Sequence, residues 1–444
     1  MKKGFLKYIL LLTACFSLLG CYNEKEPRSA VLKVYNWADY IDEDVLADFP
    51  KWYKEQTGEE IRVVYQTFDI NEIMLTKIEK GHEDFDVVCP SEYIIERMLK
   101  KDLLLPIDTN FGKTPNYLHN ISPYIREQLD KLSQPGRPAN KYAVCYMWGT
   151  AGILYNKDDV EQKDVETWGA LWNPKFKGKI LMKESYRDAY GTAIIYAHAK
   201  ELREGKVTVE ELMNNYTPEA MALVEKYLKS MKPLIAGWEA DFGKEMMTKG
   251  KAWLNMTWSG DAMWAIEEAS EVGVNLDYIV PEEGSNIWYD GWVIPKYARN
   301  VKAASYFIDY LCQPEIALKN MDTSGYVSAV ATPEVMDEKI DTTLTYFSDL
   351  SYFFGPGADS IQINCVQYPD RKVVERCAMI RDFGDKTEDV LEIWSKIKGD
   401  NLGVGVVIVI FIVVGAMSGY TAYKRIQRYK RNRLSRRHRR RRRS

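Results

Sequence analysis

Histidine is almost missing from this 444-residue chain: His82, His119, His198 and one more in the carboxy-terminal tail. None of the first three has a cysteine or carboxylate at metal-ligand spacing, so no metal site is expected. Cysteine is sparse too. Beyond Cys21 there are Cys89, Cys145, Cys312, Cys365 and Cys377. Five is odd and thin for a disulfide framework, and only a bridge between Cys365 and Cys377 stays open. A nucleophile elbow, a zinc helix motif and dinucleotide-type glycine spacing are all absent. Covalent chemistry and a bound cofactor are therefore not expected, and neither is an enzyme.

Two stretches at the chain ends lack charge or lack acid. After Lys2, Lys3 and Lys7 comes an apolar run that ends in Leu18-Leu19-Gly20-Cys21. That order reads as an export signal over residues 1–20, too short to span a bilayer as a finished helix. The small residue before Cys21 resembles a bacterial lipobox, which implies lipidation of Cys21. At the other end, residues 402–420 carry no charge. At about 1.5 Å per residue they would cover roughly 28 Å, which predicts a transmembrane helix. Residues 421–444 follow, with thirteen Lys or Arg and no acid. Basic flanks stay cytoplasmic, so the globular part is expected outside the inner membrane, on its periplasmic face. The tail has no nucleic-acid fold beside it, so anionic lipid headgroups are its expected contact and nucleic acid is not.

With both ends set aside, 44 basic residues face all 63 acidic ones. An acidic surface concentrates cations, although solubility alone would also favour it. About 380 residues are too many for one typical core and suggest two lobes. Strand patterns at Val31–Asn36, Ile61–Thr67 and Phe85–Cys89 alternate with helical patterns at Asp42–Gln56, Asn71–Lys80 and Ser91–Lys100. A break or a second helix start is expected at Pro50. This alternation predicts an α/β fold with parallel strands and helical crossovers. Further strands are expected at Ala143–Met147, Gly152–Tyr155, Ala252–Thr257 and Leu276–Val280.

Ligands of such sheets bind beyond the carboxyl ends of strands. Those places hold aromatic rings with an acid close by: Trp37-Ala38-Asp39-Tyr40, Ser91-Glu92-Tyr93, Trp258-Ser259-Gly260-Asp261 and Trp288-Tyr289-Asp290. In extended chain, Trp288 and Asp290 share a face. A polyamine fits this pattern. Its methylenes need flat walls, its ammonium groups need carboxylates, and each ammonium–ring contact contributes roughly 0.5–2 kcal/mol. Any one of these pairs taken alone reads better as core packing; it is their recurrence after strands that favours a site.

In YNWADY (35–40), FDINE (68–72), DVVCPSEY (86–93), YMWGTAGILYN (146–156), WSGDAMW (258–264), IWYDGWVIP (287–295) and SGY (324–326), the chain resembles the periplasmic spermidine/putrescine-binding proteins of polyamine ABC transporters. The resemblance runs from Val31 to Lys398. It implies a type II two-lobed fold, each lobe a mixed, mainly parallel sheet with helices on both faces, here with an added transmembrane helix. The lobes are expected at 30–141 with 289–335, and at 142–288 with 336–400. It implies ligand contacts from Trp37, Asp39, Tyr40, Ser91, Tyr93, Asp188, Trp258, Asp261, Trp288, Asp290 and Tyr326. Ser185 stands where spermidine-preferring members carry an acid, and Asp261 where putrescine-preferring members carry one. Putrescine is thus favoured over spermidine. The implied partners are a permease with its ATPase. A binding protein or membrane receptor for another small cationic metabolite is the alternative.

Overall fold

In the computed structural model, residues 27–240 and 242–399 are described. Contacts divide the chain at Asp385 into a large unit and a short carboxy-terminal one. The large unit has two lobes built on one mixed sheet. Its strands in chain order are β1 (Val31–Trp37), β2 (Arg62–Phe68), β3 (Val87–Val88), β4 (Leu104–Leu105), β5 (Ala143–Asn156), β6 (Ile180–Lys183), β7 (Ile235–Glu239), β8 (Leu254–Trp258), β9 (Leu276–Ile279), β10 (Ile287–Pro295) and β11 (Val327–Ser328). The sheet order is β2-β1-β3-β10-β5-β8-β6-β7.

The parallel pairs are β1 with β2 and β3, and β6 with β7 and β8. The expectation of mainly parallel lobes needs correction, because β5 and β10 run antiparallel to every strand they pair with. β5 is one buried fourteen-residue strand, where two shorter ones were expected. Its first half pairs with β10 and its second half with β8 and β9. Gly149 does not break it. It makes room for a neighbour: an added Cβ would stand 2.6 Å from the Trp288 ring. The sheet passes from one half to the other at this point.

The helix Glu43–Thr57 starts on Asp42, whose carboxylate accepts from the Asp44 and Val45 amides. It stops at Gly58 in the left-handed conformation. Pro50 lies inside it without ending it. Its apolar face explains why: Val45, Phe49 and Tyr53 are buried, and Phe49 packs against Phe307 and Tyr310. Tertiary packing outweighs one missing helical hydrogen bond.

The expectation of a carboxy-terminal transmembrane helix as part of this fold is corrected. No helix among the described residues is long and apolar enough to cross a membrane. The longest, Glu43–Thr57, has 15 residues, roughly 22 Å at 1.5 Å per residue. Residues 402–420, the basic tail, the signal and Cys21 lie outside the described residues. Cys365 and Cys377 are both free, so the bridge left open between them is not formed. No group of His, Cys, Asp or Glu among the described residues could hold a metal ion.

Candidate functional site

Strand ends bring most of the expected residues together. Tyr40 follows β1, and Ser91 follows β3 and caps the helix Glu92–Lys100. Asp188 lies in the first turn of the helix Tyr186–Ala197, just after β6. Trp258 ends β8, and Asp261 lies in the first turn of the next helix. Asp290 sits inside β10 where its register with β5 shifts. Tyr326 follows Gly325, whose left-handed conformation ends the helix Pro314–Ser324.

Three rings form a wall. Tyr326 meets Tyr40 edge-on at 5.3 Å and Trp288 at 5.4 Å between centroids. The Tyr40 hydroxyl donates to Asp290 Oδ2 at 2.9 Å. Ser91 also bonds Asp290, and Asn71 Nδ2 donates to the hydroxyls of Ser91 at 3.0 Å and Tyr93 at 2.7 Å. Trp37 packs on Phe68 at one margin.

On the β6 side, Asp188 accepts from Trp258 Nε1 at 3.3 Å and from Asn286 Nδ2 at 3.0 Å. These bonds fix the Asn286 amide, since a carboxylate can only accept. Asn286 Oδ1 is then a buried acceptor with no donor among the described residues. Glu92 is buried as well and accepts the Tyr289 amide at 3.1 Å.

Burial pushes the Asp290 carboxyl up to about 6, against the pull of Ser91 and Tyr40. It also raises Asp188, against hydrogen bonds from Ser185, Asn286 and Trp258. Glu92 is pushed well up too, by burial and then by the nearby charges of Asp290 and Asp188. No lysine or arginine forms an ion pair with any of the three among the described residues; Lys183 only lowers Asp188 from a distance. Three buried carboxylates beside an aromatic wall have the chemistry that an alkyl cation would need.

Residues 51–342 match the family described as bacterial extracellular solute-binding protein. The spermidine/putrescine-binding periplasmic protein of Escherichia coli K12 is 30% identical over 337 residues, covering 74% of this chain and 88% of that protein. The chain belongs to the bacterial extracellular solute-binding protein family. The putrescine-binding periplasmic protein PotF of Escherichia coli is 31% identical over 321 residues, 69% of this chain and 80% of that one. Among solved structures, the spermidine/putrescine ABC transporter substrate-binding protein PotD of Streptococcus pneumoniae superposes with a TM-score of 0.63 at 30% identity. It covers 83% of this chain and 99% of that one.

Two expected residues of this solute-binding protein sit otherwise than anticipated. Asp39 is exposed, at φ 51°, outside the buried cluster. Asp261 is buried but already paired: Lys183 Nζ lies 2.7 Å from its Oδ2, and the Tyr326 hydroxyl donates to its Oδ1 at 3.0 Å. Lys183, Arg187 and Asn286 were missed in the sequence, and Glu92 was noted as the acid of Ser91-Glu92-Tyr93 but not expected as a contact. Arg187 lies 3.7 Å over the Tyr93 ring and 4.0 Å over Phe383, and it pairs with Glu72 at 3.3 Å. A signal for Arg187 existed, since it stands next to Asp188. None existed for Lys183, because the four-residue β6 showed no pattern of its own.

Proposed function

We propose that this chain captures a small polyamine between its lobes, putrescine before spermidine, and hands it to a permease driven by an ATPase. It is the substrate-binding component of a polyamine ABC importer and works in the periplasm. The observation that carries the reading is the set of Asp188, Glu92 and Asp290, buried beside Tyr40, Trp258, Trp288 and Tyr326 with no ion pair of their own. A buried carboxylate without a cation is costly, and a ligand ammonium removes that cost.

In this reading one ammonium lies at Asp290, and the other lies at Asp188 with Asn286 Oδ1. The methylenes run along Trp288 and Tyr326. Trp37, Ser91 and Tyr93 line the β3 side. Four carbons between the charges suit this span better than a longer triamine, because Asp261 is taken. Glu72 meets Tyr186 and Arg187 at 2.7 and 3.3 Å, a tie that lobe closure over the ligand would use. The closed form is then the one that docks on the permease. A lipid on Cys21 would hold the protein at the membrane; that element rests on Leu18-Leu19-Gly20-Cys21 alone.

Tryptophan fluorescence tests the reading, because Trp258 and Trp288 stand at the site. Putrescine should produce a saturable change that Trp288→Phe diminishes. A titration with no change for putrescine, cadaverine or spermidine on folded protein contradicts it.

A further inference from the structure

Lys183 is the last residue of β6, and its side chain is 2% exposed. Its ammonium lies 2.7 Å from Asp261 Oδ2, 3.3 Å from Glu239 Oε1 and 4.4 Å from the centre of the Trp258 ring. Two carboxylates and a ring face are the surroundings a bound alkylammonium requires. Here the protein supplies that alkylammonium itself. Burial would lower its basicity, but Asp261 and Glu239 outweigh burial and hold it charged.

Asp261 has little capacity left. Oδ2 faces Lys183, while Oδ1 accepts from Tyr326 at 3.0 Å and has Lys244 Nζ at 3.6 Å. A ligand ammonium could reach Asp261 only by displacing Lys183 from a desolvated ion pair. Trp258 nevertheless belongs to both neighbourhoods: its indole N–H donates to Asp188, and its face carries Lys183. The filled position is therefore continuous with the candidate site.

We propose that Lys183 is a specificity-determining residue, a built-in ammonium that occupies one cationic subsite and limits the ligand to a short diamine. This rests on the polyamine reading of the site given above. The tethered ammonium has the alkyl chain and charge of one arm of a polyamine. The remaining site then needs only two further ammonium groups. Removing the charge opens Asp261, Glu239 and the Trp258 face to a third. A triamine gains a partner for its extra charge, and a diamine gains nothing.

The test is calorimetry of the full-length protein and its Lys183→Met variant with putrescine and spermidine. The ratio of spermidine to putrescine affinity should rise at least tenfold in Lys183→Met. Adding Asp261→Asn to that variant should bring the ratio back towards the parent's, because the freed acid is gone. Lys183→Met takes the nearest cation from two buried carboxylates, leaving Asp261 only Lys244 at 3.6 Å, and could fail to fold. Lys183→Gln keeps a donor to Asp261 without the charge, and its ratio should shift in the same direction. Thermal shift by millimolar spermidine against putrescine reads the same preference on a weakly stable variant. An unchanged ratio in a folded Lys183 variant, with the parent binding putrescine, overturns the inference. So does a shift that persists after Asp261→Asn. If neither parent nor variants bind any polyamine, it is the polyamine reading that fails.

Discussion

The ring of Tyr326 fills the space that a side chain at Gly260 would need; an added Cβ would overlap its Cδ1. That fit lets the Tyr326 hydroxyl reach Asp261, the next residue along the helix, at 3.0 Å. Gly260→Ala should therefore expel the ring. Overpacking of this kind costs about 1–3 kcal/mol. A lower Tm and weaker putrescine binding are expected together. Tyr326→Ala in the Gly260→Ala background should recover Tm but not binding.

Asp290 makes binding depend on pH. Burial pushes its carboxyl up to about 6. Protonation removes the charge that the ligand ammonium needs. Putrescine affinity should fall about tenfold between pH 7.5 and pH 5, with most of the loss below pH 6. Stability runs the other way. The folded protein holds this proton more tightly than the unfolded chain, whose aspartates titrate near 3.9. Stability from this group is lost as pH rises from about 4 to 6, and by pH 7 the penalty is of order 3 kcal/mol. The ligand-free protein should gain Tm when pH falls from 7.5 to 5.5, and saturating putrescine should flatten that gain. Differential scanning calorimetry at several pH values measures both.

Asp290→Asn and Asp188→Asn keep shape and remove charge, exchanging one acceptor oxygen for an amide donor. Each should weaken putrescine binding by about 2 kcal/mol or more, roughly thirtyfold. Neither should lower Tm, because the parent carboxylates are buried without a cation. The double variant should lose less than the sum, since both charges act on one ligand. Equilibrium dialysis with labelled putrescine gives the affinities.

Glu72 joins the β2 side of the sheet to Tyr186 and Arg187 on the β6 side. Its side chain is a quarter exposed, so the tie contributes only about 0.5–1 kcal/mol. Glu72→Gln should speed putrescine release twofold to fivefold and leave the association rate nearly unchanged. Stopped-flow fluorescence separates the two rates.

Legibility in the sequence followed how local each feature is. β1 and the helix Glu43–Thr57 show their own apolar pattern, the helix its caps as well, and both stand within a residue or two of expectation. The aromatic and acidic residues after strands were visible because strand ends are local signals. β6 and β7 were not visible: each is a short strand that only its neighbours define. Lys183 was therefore missed, and Asp261 was read as free for a ligand. A lysine at the end of a short apolar run looks solvent-exposed. Only the packing of β6 against β8 puts its ammonium on Trp258 and Asp261. Pro50 was read as a helix break for the same reason, since the burial of Phe49 beside it is tertiary.

The central claim is that the buried acids and rings bind a short polyamine. Isothermal titration calorimetry of the full-length protein at pH 7.5 with putrescine, cadaverine and spermidine tests it most directly. The account predicts saturable one-to-one binding, tightest for putrescine and weakest for spermidine. Folded protein that gives no heat with any of the three would contradict it.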